Sequence, residues 1–211
     1  MKNYVRLLTG WVKILSGKCY YHMPQPVGKI FKPGELAGYF NDLTGKTKWD
    51  GLTDDRGIIL NKFFDGSIDY SPITIIHKGL GHHDLYLLTG EKKELENFIK
   101  ICDWLVEKQD AGGGWEIKKA MRLTGPFKYS AMSQGEAISA LTRAWKLTGN
   151  NIYIETAKKG LALMLTDLKN GGAAYYKDDE LYLEEYPAAE KNTVLNGWIF
   201  ALFGIYDYFL A

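Results

Sequence analysis

Leu88-Thr89-Gly90, Gly112-Gly113-Gly114-Trp115, Leu147-Thr148-Gly149 and Gly171-Gly172 divide the sequence after residue 71 into a repeating order of helices and stops. The two Leu-Thr-Gly stops and the two glycine stops are each 59 residues apart, 90 to 149 and 112 to 171. Equal offsets at two separated landmarks indicate a structural repeat. Working outward from the first stop, Ile76, Leu80, Leu85 and Leu88 recur at helical spacing behind Ser71-Pro72, a capping residue followed by proline at the favoured first position. The spacing predicts a helix over Ile73 to Thr89, and Leu95 to Lys108 supplies its partner. Three glycines then end this hairpin, because they cannot sustain a helix, and Trp115 anchors the next segment. The second pass reads the same way: a helix from Ser130 to Leu147, a partner from Ile152 to Leu168, then Gly171-Gly172. A third pass opens near Thr193 with an apolar helix from Val194 to Leu210, and half a hairpin is expected to be missing after Ala211.

Such units cannot cover their apolar faces alone, so they stack. The fold class predicted is mainly α: an incomplete (α/α) toroid of helical hairpins with a small β-hairpin insertion. Residues 72–211 form that body. Residues 1–71 are read as a lead-in of helix, loops and short strands packed on it, because residues 19–70 are rich in Gly, Pro, Asp and aromatics with short apolar runs such as Gly57-Ile58-Ile59-Leu60. The final helix is apolar almost all round, which predicts contacts on several sides and suggests a homodimer through helix 194–210.

At 211 residues, 46% hydrophobic and 24% charged, the chain can bury one sizeable core. The 26 basic and 25 acidic residues are spread along its length, so no nucleic-acid partner is expected. Cys19 and Cys102 are far apart and are read as ordinary thiols. His77, His82 and His83 lack ligand spacing and are read as polar helix positions, so no metal is expected. The opening MKNYVRLLTGWVKILSGK is interrupted by Arg6, Gly10 and Lys13, unlike a signal peptide, and a soluble cytoplasmic protein is the expectation. Val194 to Ala211 contains Asn196 and Asp207 and falls short of the roughly 20 apolar residues of a membrane span, so none is expected. The 14 Tyr, 9 Phe and 6 Trp suit either core packing or stacking on sugar rings.

Between the second and third passes, residues 172–187 read as a β-hairpin with an acidic turn at Asp178-Asp179, followed by a loop fixed at Pro187. Glu184, Glu185 and Tyr186 place carboxylates and a phenol on that loop, where helical scaffolds carry their sites. Taken alone, this trio is more often an exposed turn than a catalytic group.

Four blocks change that balance. Tyr129-Ser130-Ala131-Met132-Ser133-Gln134-Gly135-Glu136-Ala137-Ile138-Ser139, Glu184-Glu185-Tyr186-Pro187, Val194-Leu195-Asn196-Gly197 and Gly204-Ile205-Tyr206-Asp207 together resemble the C-terminal domain of glucuronyl C5-epimerases, over about Tyr129 to Asp207. The resemblance implies inversion of C5 in D-glucuronate units of a polysaccharide such as heparosan, giving L-iduronate, with no dissociable cofactor. The C5 hydrogen lies α to a carboxylate, so its removal leaves an anionic ene-diolate that needs a donor at the carboxyl and an acid/base group on each face of the ring. By the resemblance, Glu185 is the base on one face and Tyr186 the donor. Tyr129, Gln134 and Asn196 are expected to bind the sugar, with capping and core hydrogen bonding as the equal alternative. Arg122 and Lys128 are candidates for the carboxyl clamp, against solvated surface as the commoner fate.

Members of the family continue beyond the position of Ala211, with further active-site tyrosines there. The resemblance therefore implies weak or absent activity for these residues alone. Three other readings stay open: a noncatalytic polysaccharide-binding module, a uronate lyase or hydrolase pairing carboxylates such as Glu136 and Glu185, and, more distantly, a prenyltransferase-like or cyclase-like toroid.

Overall fold

The computed structural model describes residues 11–12, 20, 23–63 and 65–211. Cys19 and most of the opening segment lie outside the described residues. The chain is mainly helical. After a two-stranded ribbon of β1 (Asn61–Lys62) and β2 (Ile68–Asp69) come α1 (Pro72–Thr89), α2 (Lys92–Lys108), the short α3 (Lys118–Met121), α4 (Ala131–Thr148) and α5 (Asn151–Met164). The antiparallel hairpin β3 (Ala174–Lys177) and β4 (Glu180–Leu183) follows, and α6 (Leu195–Leu210) is last.

The two Leu-Thr-Gly corners are built alike. Gly90 and Gly149 take left-handed φ values of 72° and 69° and donate their N–H groups to the carbonyls of Tyr86 and Trp145. The hydroxyls of Thr89 and Thr148 donate back to the carbonyls of Leu85 and Ala144 and accept the amides of Glu91 and Asn150. Every partner is displaced by the same 59 residues, so the repeat read from sequence is a repeat of hydrogen bonds. At the glycine stops the register slips by one: the left-handed residues are Gly113 and Gly171. The reason lies in α5, which ends at Met164 where a helix to Leu168 was expected. Thr166 gives its carbonyl to the Ala174 amide, and Asp167 accepts the Lys169 amide at 2.7 Å, which tightens residues 168–170 into a 3-10 turn feeding β3.

Helices α1, α4 and α6 lie side by side, and α2 and α5 pack outside them. Helix α4 is buried continuously from Ala131 to Ala144, whereas α2 buries a single face carrying Phe98, Ile101, Cys102, Trp104 and Leu105. Trp115 is almost fully buried, as its position after the glycines predicts, and its indole N–H donates to the Leu105 carbonyl at 2.8 Å. Ser71 occupies the cap position before Pro72, yet its hydroxyl takes a bond from Thr74 at 3.3 Å in place of a backbone amide.

Helix α6 meets α4 backbone to backbone. Its buried stripe is Gly197, Ala201, Gly204 and Asp207, and a Cβ on Gly204 would fall 2.3 Å from the Gly135 carbonyl oxygen. On a second side Phe203 stacks on Phe40 of the lead-in, with ring centroids 3.8 Å apart. On a third side Trp198 lies against Tyr182 of β4, ring centroids 5.9 Å apart, whereas Leu195, Leu202 and Phe209 are exposed, Phe209 to 80%. Among the described residues no helix is long and apolar enough to cross a membrane.

The lead-in is tied to the helices by charge. The Tyr39 amide donates to both carboxylate oxygens of Asp84, at 3.1 and 3.2 Å. Arg143 donates to the carbonyls of Ala37 and Gly38 and forms a fully buried ion pair with Asp207 at 2.5 Å.

Candidate functional site

The β3–β4 hairpin sets the position of the acidic loop. Asp178 and Asp179 both adopt left-handed φ, 50° and 64°, the conformation a two-residue hairpin turn requires. Register then pairs Ala174 with Leu183, and the next residue, Glu184, is held on both sides of its backbone. Its N–H donates to the Ala173 carbonyl at 3.0 Å, and its carbonyl accepts the Ala131 amide, the first residue of α4, at 2.9 Å. The loop is thus fastened to the start of the most buried helix.

The Glu184 and Glu185 side chains have different surroundings. Glu184 is fully buried and accepts a hydrogen bond from the Thr193 hydroxyl at 3.0 Å. Glu185, 5% exposed, lies against Gly197 in the first turn of α6, where an added Cβ would come within 2.3 Å of its Oε2. Tyr186 is 39% exposed. One carboxylate oxygen of each glutamate, Oε2, is buried without a hydrogen-bond partner, an arrangement rare enough in folded chains to call for an explanation.

Burial raises the pKa of Glu185 above the usual carboxylate range, the Tyr186 hydroxyl and the Gly197 amide oppose that rise, and the nearby Glu136 charge adds to it. Burial likewise raises Glu184, opposed by Thr193 and the Asn192 amide. Tyr186 is pushed up by burial and then by the charge of Glu185. The folded chain therefore holds the Glu184 proton more tightly than the unfolded chain does. That stabilisation is present below the unfolded value, about 4.3, and is lost as pH rises through the raised folded value. Glu184→Gln is expected to flatten the decline of unfolding free energy that sets in as pH rises above about 4, read by urea denaturation at each pH; an unchanged decline refutes the linkage.

The other residues named from sequence have diverse environments. Tyr129 is buried and donates its hydroxyl to Asp110 at 2.6 Å, which raises its pKa further after burial. Gln134 has no exposed surface, and its amide brackets the backbone of Trp115, accepting the N–H at 3.4 Å and donating to the carbonyl at 3.1 Å. Both thus have internal partners of the kind the core hydrogen-bonding alternative describes. Asn196 is exposed at the start of α6, beside Gly197. Arg122 and Lys128 are exposed, and Arg122 caps α3 with φ 54°.

Two residues of the site were not singled out from sequence as its parts. Gly197 leaves the room that Glu185 fills. His77, read as an ordinary polar helix position, is buried and bonds Glu136 Oε1 through Nε2 at 2.7 Å. The repeat carried the signal for this pair, since 77 and 136 differ by the same 59 residues as the stops. His82 and His83 have carboxylate partners of their own, Glu94 and Asp84. Among the described residues no group of three or more His, Cys, Asp or Glu side chains is placed to hold a metal ion.

Comparison with known proteins bears on the segment containing this site. Residues 109–211 match the family described as the D-glucuronyl C5-epimerase C-terminus. Over 116 residues the chain is 36% identical to a D-glucuronyl C5-epimerase of Caenorhabditis elegans, an alignment covering 52% of this chain and 19% of that relative. The chain thus spans about a fifth of the length of the curated relative it matches.

Proposed function

We propose, from the match of residues 109–211 to the D-glucuronyl C5-epimerase C-terminal family, that the chain acts on glucuronate units of a polysaccharide and that Glu185 is the group that takes the C5 proton. The observation that carries the reading is Glu185 itself: a carboxylate on a loop fastened to α4, buried to 5% exposure, with one oxygen unpartnered and its pKa raised by that burial. A base of raised pKa is better matched to a carbon acid than an ordinary surface carboxylate.

In the proposed step the Glu185 carboxylate accepts the C5 hydrogen as a proton, and the electron pair of the broken C–H bond enters the uronate carboxyl as an ene-diolate. Tyr186, beside Glu185 and partly exposed, donates to the oxygen on which that charge develops. Return of a proton to the other face of C5 gives the L-iduronate unit, and nothing is oxidised or reduced. Asn196, exposed in the first turn of α6, is proposed to contact the sugar. Among the described residues the groups acting on the Glu185 carboxyl are Tyr186, Glu136 and the Gly197 amide, and Tyr186 stands on the same loop as the base. The donor to the opposite face must therefore stand on another element than this loop, and removal of the C5 proton is the step the loop itself accounts for.

The test is incubation of the chain with a glucuronate polysaccharide of the heparosan type in deuterated water, followed by NMR of C5. Deuterium at C5 is the expected result. Binding with no deuterium at C5 overturns the catalytic reading in favour of the binding module. A 4,5-unsaturated product means that the same carbanion expels the C4 substituent, making the chain a lyase. Hydrolysis by a Glu136 and Glu185 pair is less well supported, because Glu136 has no exposed surface and is bonded to His77.

A further inference from the structure

Glu136 is the least expected group near the loop. It belongs to the fully buried face of α4, has no exposed surface, and keeps Oε2 without a hydrogen-bond partner. An ionised carboxylate so placed is costly unless something holds it, and what holds it is one imidazole, His77 of α1, at 2.7 Å on Oε1. The preceding residue, Gly135, lies where α6 crosses α4, with its Cβ position 2.6 Å from the Ala201 Cα. Glu185 sits against Gly197, one turn earlier on α6. Two carboxylates from separate elements, each with an orphaned buried oxygen, therefore flank one helix crossing, near enough that the charge of Glu136 acts on Glu185.

We infer that His77 and Glu136 form a positioning pair for Glu185, the imidazole holding a second, buried carboxylate beside the proposed base. The inference rests on the reading of Glu185 as the proton acceptor. The charge of Glu136 makes Glu185 a stronger base than burial alone does. The repulsion between the two carboxylates is present before proton transfer and relieved once Glu185 has taken the C5 proton, so it lowers the barrier and not merely the energy of binding.

Other charged groups of this interior have partners of their own. Arg143, two turns along α4, is paired with Asp207 of α6, and Glu184 is bonded to Thr193. Tyr39 of the lead-in is buried, and burial with the charge of Glu136 keeps its phenol protonated. Tyr186 acts on Glu185 from the same loop. Of these groups, His77 is the one whose removal leaves the Glu136 carboxylate without a hydrogen bond.

The experiment titrates the Glu185 side-chain carboxyl by carbon NMR in the full 211-residue chain labelled at glutamate, with Glu185→Gln identifying the signal. Glu136→Gln is expected to lower the Glu185 midpoint by about one unit. His77→Phe, which removes the hydrogen bond that holds Glu136 in place, is expected to lower it as well, while His77→Gln, which still donates to Glu136, is expected to restore the parent value. A pair that merely ties α1 to α4 would lower the unfolding temperature of these variants and leave the Glu185 midpoint unmoved, which would overturn the inference. If Glu136→Gln fails to fold, the contrast between His77→Phe and His77→Gln gives the same decision. Because the readout is a titration and not turnover, the absence of C5 exchange in the parent chain counts against the proposed function without bearing on the pair.

Discussion

Replacing Glu185 by Gln is expected to lower the rate of C5 hydrogen exchange by about 10²–10⁴-fold, the range a positioned general base contributes. The substitution keeps the shape of the side chain and its fit against Gly197, so the polysaccharide should still bind. It removes the lone group of the loop that is buried, raised in pKa and next to a phenol. The parent rate should climb with pH through the raised value of Glu185, because only the carboxylate accepts a proton, and the variant should lack that limb. Exchange measured by NMR across the pH range decides the matter: a variant with parent-like exchange would place the base elsewhere. Tyr186→Phe should lose less, since it removes one donor to the developing oxyanion and leaves the base in place.

The largest expected effect on stability belongs to Arg143→Ala. Arg143 is fully buried and joins three parts of the chain: the carbonyls of Ala37 and Gly38 in the lead-in, the Ser139 carbonyl on its own helix, and both carboxylate oxygens of Asp207 on α6. Removing it strands the Asp207 charge in the interior, and breaking one side of a buried pair typically costs about 3–5 kcal/mol. For a domain of this size that corresponds to a fall of about 10 °C in the unfolding temperature, measurable by calorimetry. Arg143→Lys should recover little, because an ammonium cannot reproduce the fork that spans Asp207 and two backbone carbonyls. The double change Arg143→Met with Asp207→Leu should recover more than half of the loss, because neither charge is then left alone. An Arg143→Ala chain as stable as the parent would show that water reaches this pair.

The features legible in the sequence are those whose information is local. Helix ends at Thr89 and Thr148 are written in three residues each, a hydroxyl that bonds back and a glycine that turns left-handed, and both appear where expected. The hairpin from Ala174 to Leu183 is equally local, since the acidic pair at its turn and the alternating residues beside it suffice. The end of α5 was misplaced because residues 165–168 have helical apolar spacing, while the pull that unwinds them comes from Ala174, beyond the window that periodicity surveys. For the site, Glu185 and Tyr186 were reached through block resemblance, and the burial of Glu185 was not legible. Tyr129 and Gln134 sit at a helix start like ligands, but their partners Asp110 and Trp115 come from a turn some 15–20 residues earlier, a distance at which pattern reading is blind. His77 looked like one histidine among three because nothing within its own helix shows that a carboxylate on the next inner helix faces it.

The side-by-side arrangement of α1 and α4 has a consequence for how such a chain can change over generations. When like-numbered sites of successive units abut, as positions 77 and 136 do, an inherited alteration at one is felt by its own counterpart one period later. Acid and base at those sites should then trade places, or vanish, as a couple. Descendants of this architecture should accordingly display correlated exchanges at a lag of one period, and unit duplication would have begun with two identical side chains confronting each other until one of them diverged.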